Sequence, residues 1–268
     1  MKASMVAEYR KFITTRMWWI LAASMVAYLA FIGLLLAGIF IFTPEIEMGT
    51  APASGLGLAS TIYSLANSIG YPFALVVGTL AVTGEFRHKT ITGTLLANPS
   101  RTTLALSKVI ASIPIGLFYG IAGVGGMVLV TAPLLEFAGD GAFLKNQDVL
   151  EVLGFSVLAL TLWTMVGVGF GLIVPNQIAS VIIIIGFTQL VEPVARLAFA
   201  FVESLSGVAK FFPGAAADSL VGAGSYLTLG TGVSEEVLTR LEGGLVLLAY
   251  AVVFALIGRL TTLRRDIS

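Results

Sequence analysis

The only histidine of the chain, His88, stands in Gly84-Glu85-Phe86-Arg87-His88-Lys89-Thr90, with Arg101 and Lys108 farther along. A carboxylate, an imidazole and several cations this close together could hold a metal, move a proton or pair with another surface. Metal binding needs further ligands, and with one histidine and no cysteine no metal site is predicted. Nucleophilic catalysis within the membrane would need an activated nucleophile with its base, which this inventory does not supply. Pairing remains. Phe86, Ile91, Leu95 and Leu96 add apolar contacts beside the charges, so the segment reads either as a docking surface for another protein or as a basic loop held at anionic headgroups. Glu85 is expected to open a short helix here, where the macrodipole favours an anion, and Asn98-Pro99 to end it.

A phosphate-binding loop requires lysine directly after glycine, and none of the chain's lysines follows one. The chain itself is therefore not read as an enzyme, and no cofactor is assigned to it. Ion-coupled transport usually needs ionisable groups at membrane depth. Glu192, followed by Pro193, is the one candidate, and it is expected to mark a helix break near the membrane surface. Tyr63, Ser64, Asn67, Ser68, Thr188 and Gln189 are polar residues within apolar runs, where they should face protein or a pathway. Of these, Tyr63, Asn67 and Gln189 are the candidate pathway residues, with ordinary hydrogen bonding between helices as the competing reading.

The elements that must position these residues follow from composition. The 268 residues are 57% hydrophobic and 11% charged, with a mean hydropathy of +0.98. A soluble domain carries about 25% charged residues, so this is the composition of a polytopic membrane protein. Zero net charge gives no case for binding nucleic acid. Uncharged runs mark six membrane-spanning helices in an all-α fold: Met17 to Phe42, about Leu58 to Thr83, Val109 to Leu135, two within Val152 to Val191 separated by a tight turn at Pro175-Asn176-Gln177, and a last one between Glu242 and Arg259 that needs Leu260 to Leu263 for full length. Gly116-x-x-x-Gly120 and Gly167-x-x-x-Gly171 read as sites of close helix packing.

Orientation follows from the basic residues. Eleven of the fifteen fall before span 1, between spans 2 and 3, or after span 6, whereas most acidic residues fall on the other side. Both termini are thus expected in the cytoplasm, as an even number of spans also requires. Residues 1–16 carry Tyr9, Phe12 and Ile13 among basic residues and precede Trp18-Trp19, the pattern of an interfacial helix leading into span 1.

Glu85-Phe86-Arg87-His88-x-Thr90-Ile91, followed by Leu95-Leu96-Ala97-x-Pro99-x-Arg101 and Lys108, closely resembles the loop between helices 2 and 3 of ABC-2 type ABC transporter permeases. Glu8, Lys11, Thr14-Thr15-Arg16 and Trp18-Trp19 resemble the amphipathic helix that leads into the first span of actinobacterial-type members. Six spans agree in topology along the whole chain, and the motif-level likeness covers the two segments just quoted. Lys89 departs from the pattern, standing where many members have glycine. The resemblance implies a single transmembrane domain of the type V exporter kind over residues 1–268, in a bacterial plasma membrane. Residues 84–108 would form its cytoplasmic coupling loop and 192–242 an extracellular segment with re-entrant helices. It implies a separate ABC ATPase subunit that binds ATP and magnesium, and a second permease copy, identical or related, beside membrane lipids. Glu85, Arg87 and Arg101 would pair across the ATPase interface, with His88 and Thr90 in the same motif. The implied activity is export of an amphiphilic substrate such as a drug, lipid or hydrophobic peptide. An ATPase-independent secondary transporter or membrane scaffold is the alternative.

Overall fold

A backbone crossing lipid must satisfy its own N–H and C=O groups, and among the described residues this chain does so with helices and without a strand. The computed structural model describes residues 2–42, 55–97, 100–200, 207–222 and 237–262. Helix α1 (Lys2–Thr14) is followed by α2 (Met17–Phe42), α3 (Gly55–Arg87), the short α4 (Ile91–Ala97), α5 (Arg101–Ala138) and α6 (Gln147–Ile173). Then come α7 (Gln177–Gly186), a π-helical turn (Phe187–Val191) and α8 (Glu192–Ala200), which form one continuous rod, then α9 (Pro213–Val221) and α10 (Arg240–Leu260). Six of these rods are long and apolar enough to cross a membrane.

Local sequence explains most of the boundaries. Ser100 caps α5 by accepting the Thr103 N–H, and Gly139, at φ +86°, closes it. Asn176 caps α7 in the same way by accepting the Ala179 N–H, so Pro175-Asn176-Gln177 is the expected turn between two spans. Thr239 and Glu242 form a reciprocal capping box that starts α10.

α6 is the axis of the bundle, packed between α3, α5 and α10. Glycines set its closeness to α3: a Cβ on Gly78 would stand 2.0 Å from the Thr164 carbonyl oxygen, and one on Gly167 would stand 2.2 Å from that of Leu75. At that distance Thr79 Oγ1 donates to the Gly167 carbonyl at 2.9 Å. Both glycine motifs are packing sites, since a Cβ on Gly116 would meet Thr161 Cα at 2.7 Å. Large apolar side chains such as Phe31, Leu129, Ile182, Leu190 and Leu241 point outward, the arrangement suited to surrounding lipid.

Several expectations need correction. Residues 84–108 hold more helix than the one short helix expected there. Glu85 lies in the last turn of α3, which continues to Arg87, and α5 already begins at Arg101. The short helix opens instead at Ile91, with the Thr90 carbonyl accepting the Thr94 N–H. Between α3 and α4 the chain reverses through Lys89 at φ +56°, the left-handed region that favours glycine. The expected end of that helix, Asn98-Pro99, lies outside the described residues. α3 begins at Gly55 instead of Leu58. α10 reaches full length between Arg240 and Leu260, so no continuation to Leu263 is needed: the capping box moves its start outward by two residues.

The region after Glu192 differs most. No helix break occurs at Pro193. A proline there cannot donate to the carbonyl four residues back, and the π turn takes up the mismatch by letting the Glu192 N–H reach the Phe187 carbonyl. Within the expected 192–242 segment, α9 is packed into the bundle, with every one of its residues buried. Its small side chains and Gly243 of α10 permit this, since a Cβ on Gly243 would stand 2.4 Å from the Ala216 carbonyl oxygen. The parts of the expected 192–242 segment at 201–206 and 223–236, like residues 43–54 and the C-terminal 263–268, lie outside the described residues.

Candidate functional site

One end of the bundle gathers α1, α4, the end of α3 and the start of α5, and here the sequence motif becomes a charge network. Lys108, one of the most buried cations among the described residues, donates to Glu85 Oε1 at 2.6 Å and to Glu8 Oε2 at 2.7 Å. Lys11 donates to Glu8 Oε1 at 2.8 Å, to Glu85 Oε1 at 3.0 Å and to Thr94 Oγ1 at 3.0 Å. Two lysines and two glutamates, alternating in sign, thus tie four helices together.

Lys108 lies two turns inside α5, and the helical rise places it next to the last turn of α3. Glu8 and Lys11 share one face of α1 because they are three residues apart. The aromatic edge contact of Phe12 with Tyr119, centroids 6.2 Å apart, and the Tyr119 hydroxyl donating to the Trp18 carbonyl at 2.6 Å hold α1 against α5. Burial pushes the Glu8 carboxyl up, but Lys108 and Lys11 outweigh it and leave the group below its ordinary value. Burial likewise pulls Lys11 down, and the hydrogen bond and charge of Glu8, with the charge of Glu85, raise it overall. Both groups are held ionised.

Beside the network lies a cavity of about 380 Å³. Its polar end is lined by Glu8, Lys11, Glu85, Arg87, His88, Thr90 and Lys108, and its apolar end by Trp18, Leu21, Val77, Leu80, Ile115 and Val168. Glu85, Arg87, His88 and Thr90 therefore share one site, whereas Arg101, half-buried in the first turn of α5, does not line it. The four are not equivalent. Glu85 is buried and committed to Lys11 and Lys108, so it does not offer itself to a partner surface as the motif suggested. Arg87 is exposed and donates to Gln177 Oε1 of α7 at 3.2 Å. His88 is exposed on the reversal, and Thr90 donates to the Glu85 carbonyl at 3.4 Å while its own carbonyl starts α4. Together with Lys89 and Leu96, which is 79% exposed, these side chains form the outward surface of the α4 corner.

Sequence reasoning quotes Lys108 with the loop motif and Glu8 and Lys11 with the entry helix without joining the two, and it gives Thr94 and Gln177 no part in the site. The available signal is Lys108, a single cation at the head of an otherwise uncharged run.

The polar residues of the spans separate clearly. Tyr63 is buried and donates to the Ala142 carbonyl at 3.0 Å, and Ser64 bonds back within its own helix. Asn67 is buried with neither amide atom hydrogen-bonded within the described residues. Ser68 donates to Asp218 of α9 at 3.0 Å. Thr188 is buried, and its carbonyl accepts from the Tyr71 hydroxyl at 2.8 Å. Gln189, expected to face protein or a pathway, lies on the exposed side of its rod in the single chain. Thr188 continues the buried line of Ile184, and Gln189, one residue on in the π turn, is rotated away from it. A second cavity of about 220 Å³ opens near Thr188 and is lined by Leu75, Trp163, Phe187, Phe212, Pro213 and Tyr250.

Compared with known protein families and with characterised proteins, the sequence matches none of them.

Proposed function

We propose that the chain is the membrane-spanning half of an ATP-driven exporter of the ABC-2 permease kind, working in a bacterial plasma membrane with both termini in the cytoplasm. The supporting observation is the α4 corner: a short helix with an exposed Leu96 beside the exposed basic residues 87–89 of the reversal, bonded through Lys11 and Thr94 to a network that reaches α1, α3 and α5. A force applied to α4 would move three helices together, because the network fixes their relative positions. A separate ABC ATPase, binding ATP and magnesium, would apply that force at His88, Lys89 and Leu96, with Arg87 at the edge. Glu85 serves in this reading as an internal strut, not an intermolecular contact. A second permease copy completes the two-fold arrangement that pairs two such chains with two ATPases.

The amphipathic cavity at the same end suits an amphiphile, with its head among Glu8, Lys11 and Arg87 and its tail toward Leu80 and Ile115. A drug, a lipid or a hydrophobic peptide meets that description. The test is capture of partners from native membranes in mild detergent, followed by ATPase assay. Wild type should bring down a P-loop ATPase, and Leu96→Asp with Lys89→Glu should lose it. If no ATPase accompanies the wild-type chain and reconstituted transport ignores ATP, the reading fails in favour of an ATPase-independent transporter, for which buried Glu192 supplies the ionisable group.

A further inference from the structure

The rod of α7, the π turn and α8 carries Glu192 fifteen residues from Gln177, about 22 Å along the helix from the α4 end. It is only 2% exposed. One oxygen, Oε1, accepts the N–H of Gly214, the second residue of α9, and the other, Oε2, is buried without a hydrogen-bond partner among the described residues. We propose that Glu192 is a proton-binding site whose occupancy sets whether α9 stays docked in the bundle.

Three features carry this. First, an ionised carboxylate with one oxygen unsatisfied is costly beside the apolar cavity of Phe187, Phe212, Pro213 and Tyr250, whereas the neutral acid keeps its acceptor for Gly214 and places the proton on Oε2. Second, a further carboxylate is close by on α9, since Asp218, buried as well, accepts from Arg196 at 3.0 Å and from Ser68 at 3.0 Å. The titratable and charged groups that face Glu192 are Asp218 from α9, Arg196 one turn along its own rod, and the hydroxyls of Tyr71 from α3 and Tyr250 from α10. Third, the contact is built for closeness. A Cβ on Gly214 would stand 2.5 Å from Oε1, and the π turn, a distortion frequent at functional sites, sets the register of Glu192 on its rod.

Linkage then fixes the direction. Docked, the carboxyl has one oxygen on Gly214 and the other without a partner, an arrangement that suits the neutral acid and not the carboxylate, so docking is favoured at low pH and lost as pH rises. This inference stands independently of the ATPase reading, since it concerns a different part of the bundle.

The chain has no cysteine, so spin labels can be placed on Val208→Cys, just before α9, and on Leu129→Cys of α5, both at exposed positions. Distances between them are measured by pulsed electron resonance in lipid nanodiscs from about pH 5 to about pH 9, the range over which buried glutamates titrate. The expected result is two distance populations, the undocked one growing by up to about tenfold per pH unit, as one proton per event requires. Glu192→Gln, a neutral mimic of the acid, should show the docked population alone at every pH. Gly214→Ala should favour the undocked population even at low pH. A distribution that does not change with pH in wild type, an equal change in Glu192→Gln, or an undocked Glu192→Gln at all pH values would each overturn the proposal.

Discussion

At the scale of single residues, Lys108 is where the charge network is most exposed to damage. Buried ion pairs contribute little net stability when intact, but removing one partner strands the others. Lys108→Met would leave Glu8 and Glu85 facing only Lys11, and the expected cost is about 3–5 kcal/mol. Thermal unfolding in detergent, with Lys11→Met as the milder comparison because Lys11 is partly exposed, checks the order of the two. Glu8 and Lys11 each give the network a pH dependence of known sign. Glu8 lies below its ordinary 4.5, so its contribution is present above that value and is lost as pH falls below it. Lys11 lies above its ordinary 10.5, so its contribution is present below that value and is lost as pH rises past it. Between these limits the contribution of Glu8 and Lys11 should be flat, and Glu8→Gln should remove the acid-side loss that Glu8 causes in an unfolding series. Little of this is legible in the sequence. Glu85 can be singled out by its motif, but its partners lie 23 and 74 positions away in the chain, and only the folded helices bring them within hydrogen-bonding distance.

At the scale of elements, the uncharged runs locate the spans well because helix length and lipid thickness leave few choices. Their ends are less legible, since caps decide them: Thr239 with Glu242 starts α10 ahead of its uncharged run, and α3 carries Glu85 and Arg87 past its own. The π turn before Pro193 has no signature in periodicity at all. Two substitutions probe the elements. Lys89 holds a left-handed conformation that glycine adopts without a Cβ penalty, so Lys89→Gly should stabilise the α3–α4 reversal by about 0.5–1 kcal/mol, read as a small rise in unfolding temperature. Gly167→Ala should do the reverse. Its methyl would meet the Leu75 carbonyl oxygen at 2.2 Å, a backbone atom that no rotamer change can move aside, and separating α3 from α6 should cost about 1–3 kcal/mol or more. It should also weaken the Thr79 hydrogen bond to the Gly167 carbonyl, so Thr79→Val should cost much less in the Gly167→Ala background than in wild type.

For the whole molecule, the decisive property is that the charge network and the Glu192 cluster sit at separate places along one packed axis. α6 packs on α3, α5 and α10, α3 ends in the charge network, and α10 packs on α9, so a displacement at the α4 corner has a continuous route to the Glu192 region. Such a route couples two sites only where both ends bias one equilibrium. The proposed transporter makes that bias measurable. Lys11→Met with Thr94→Val cuts the bonds from α4 to the network while leaving the exposed surface of His88, Lys89 and Leu96 in place. Such a variant should still capture the ATPase as wild type does, yet substrate-stimulated ATP turnover should fall by roughly 5- to 100-fold, the range of an ordinary coupling energy of 1–3 kcal/mol. Loss of capture would mean instead that these residues shape the docking surface itself. Retained stimulation would show that force enters the bundle elsewhere, with Arg87 and its Gln177 contact to α7 as the next route to sever.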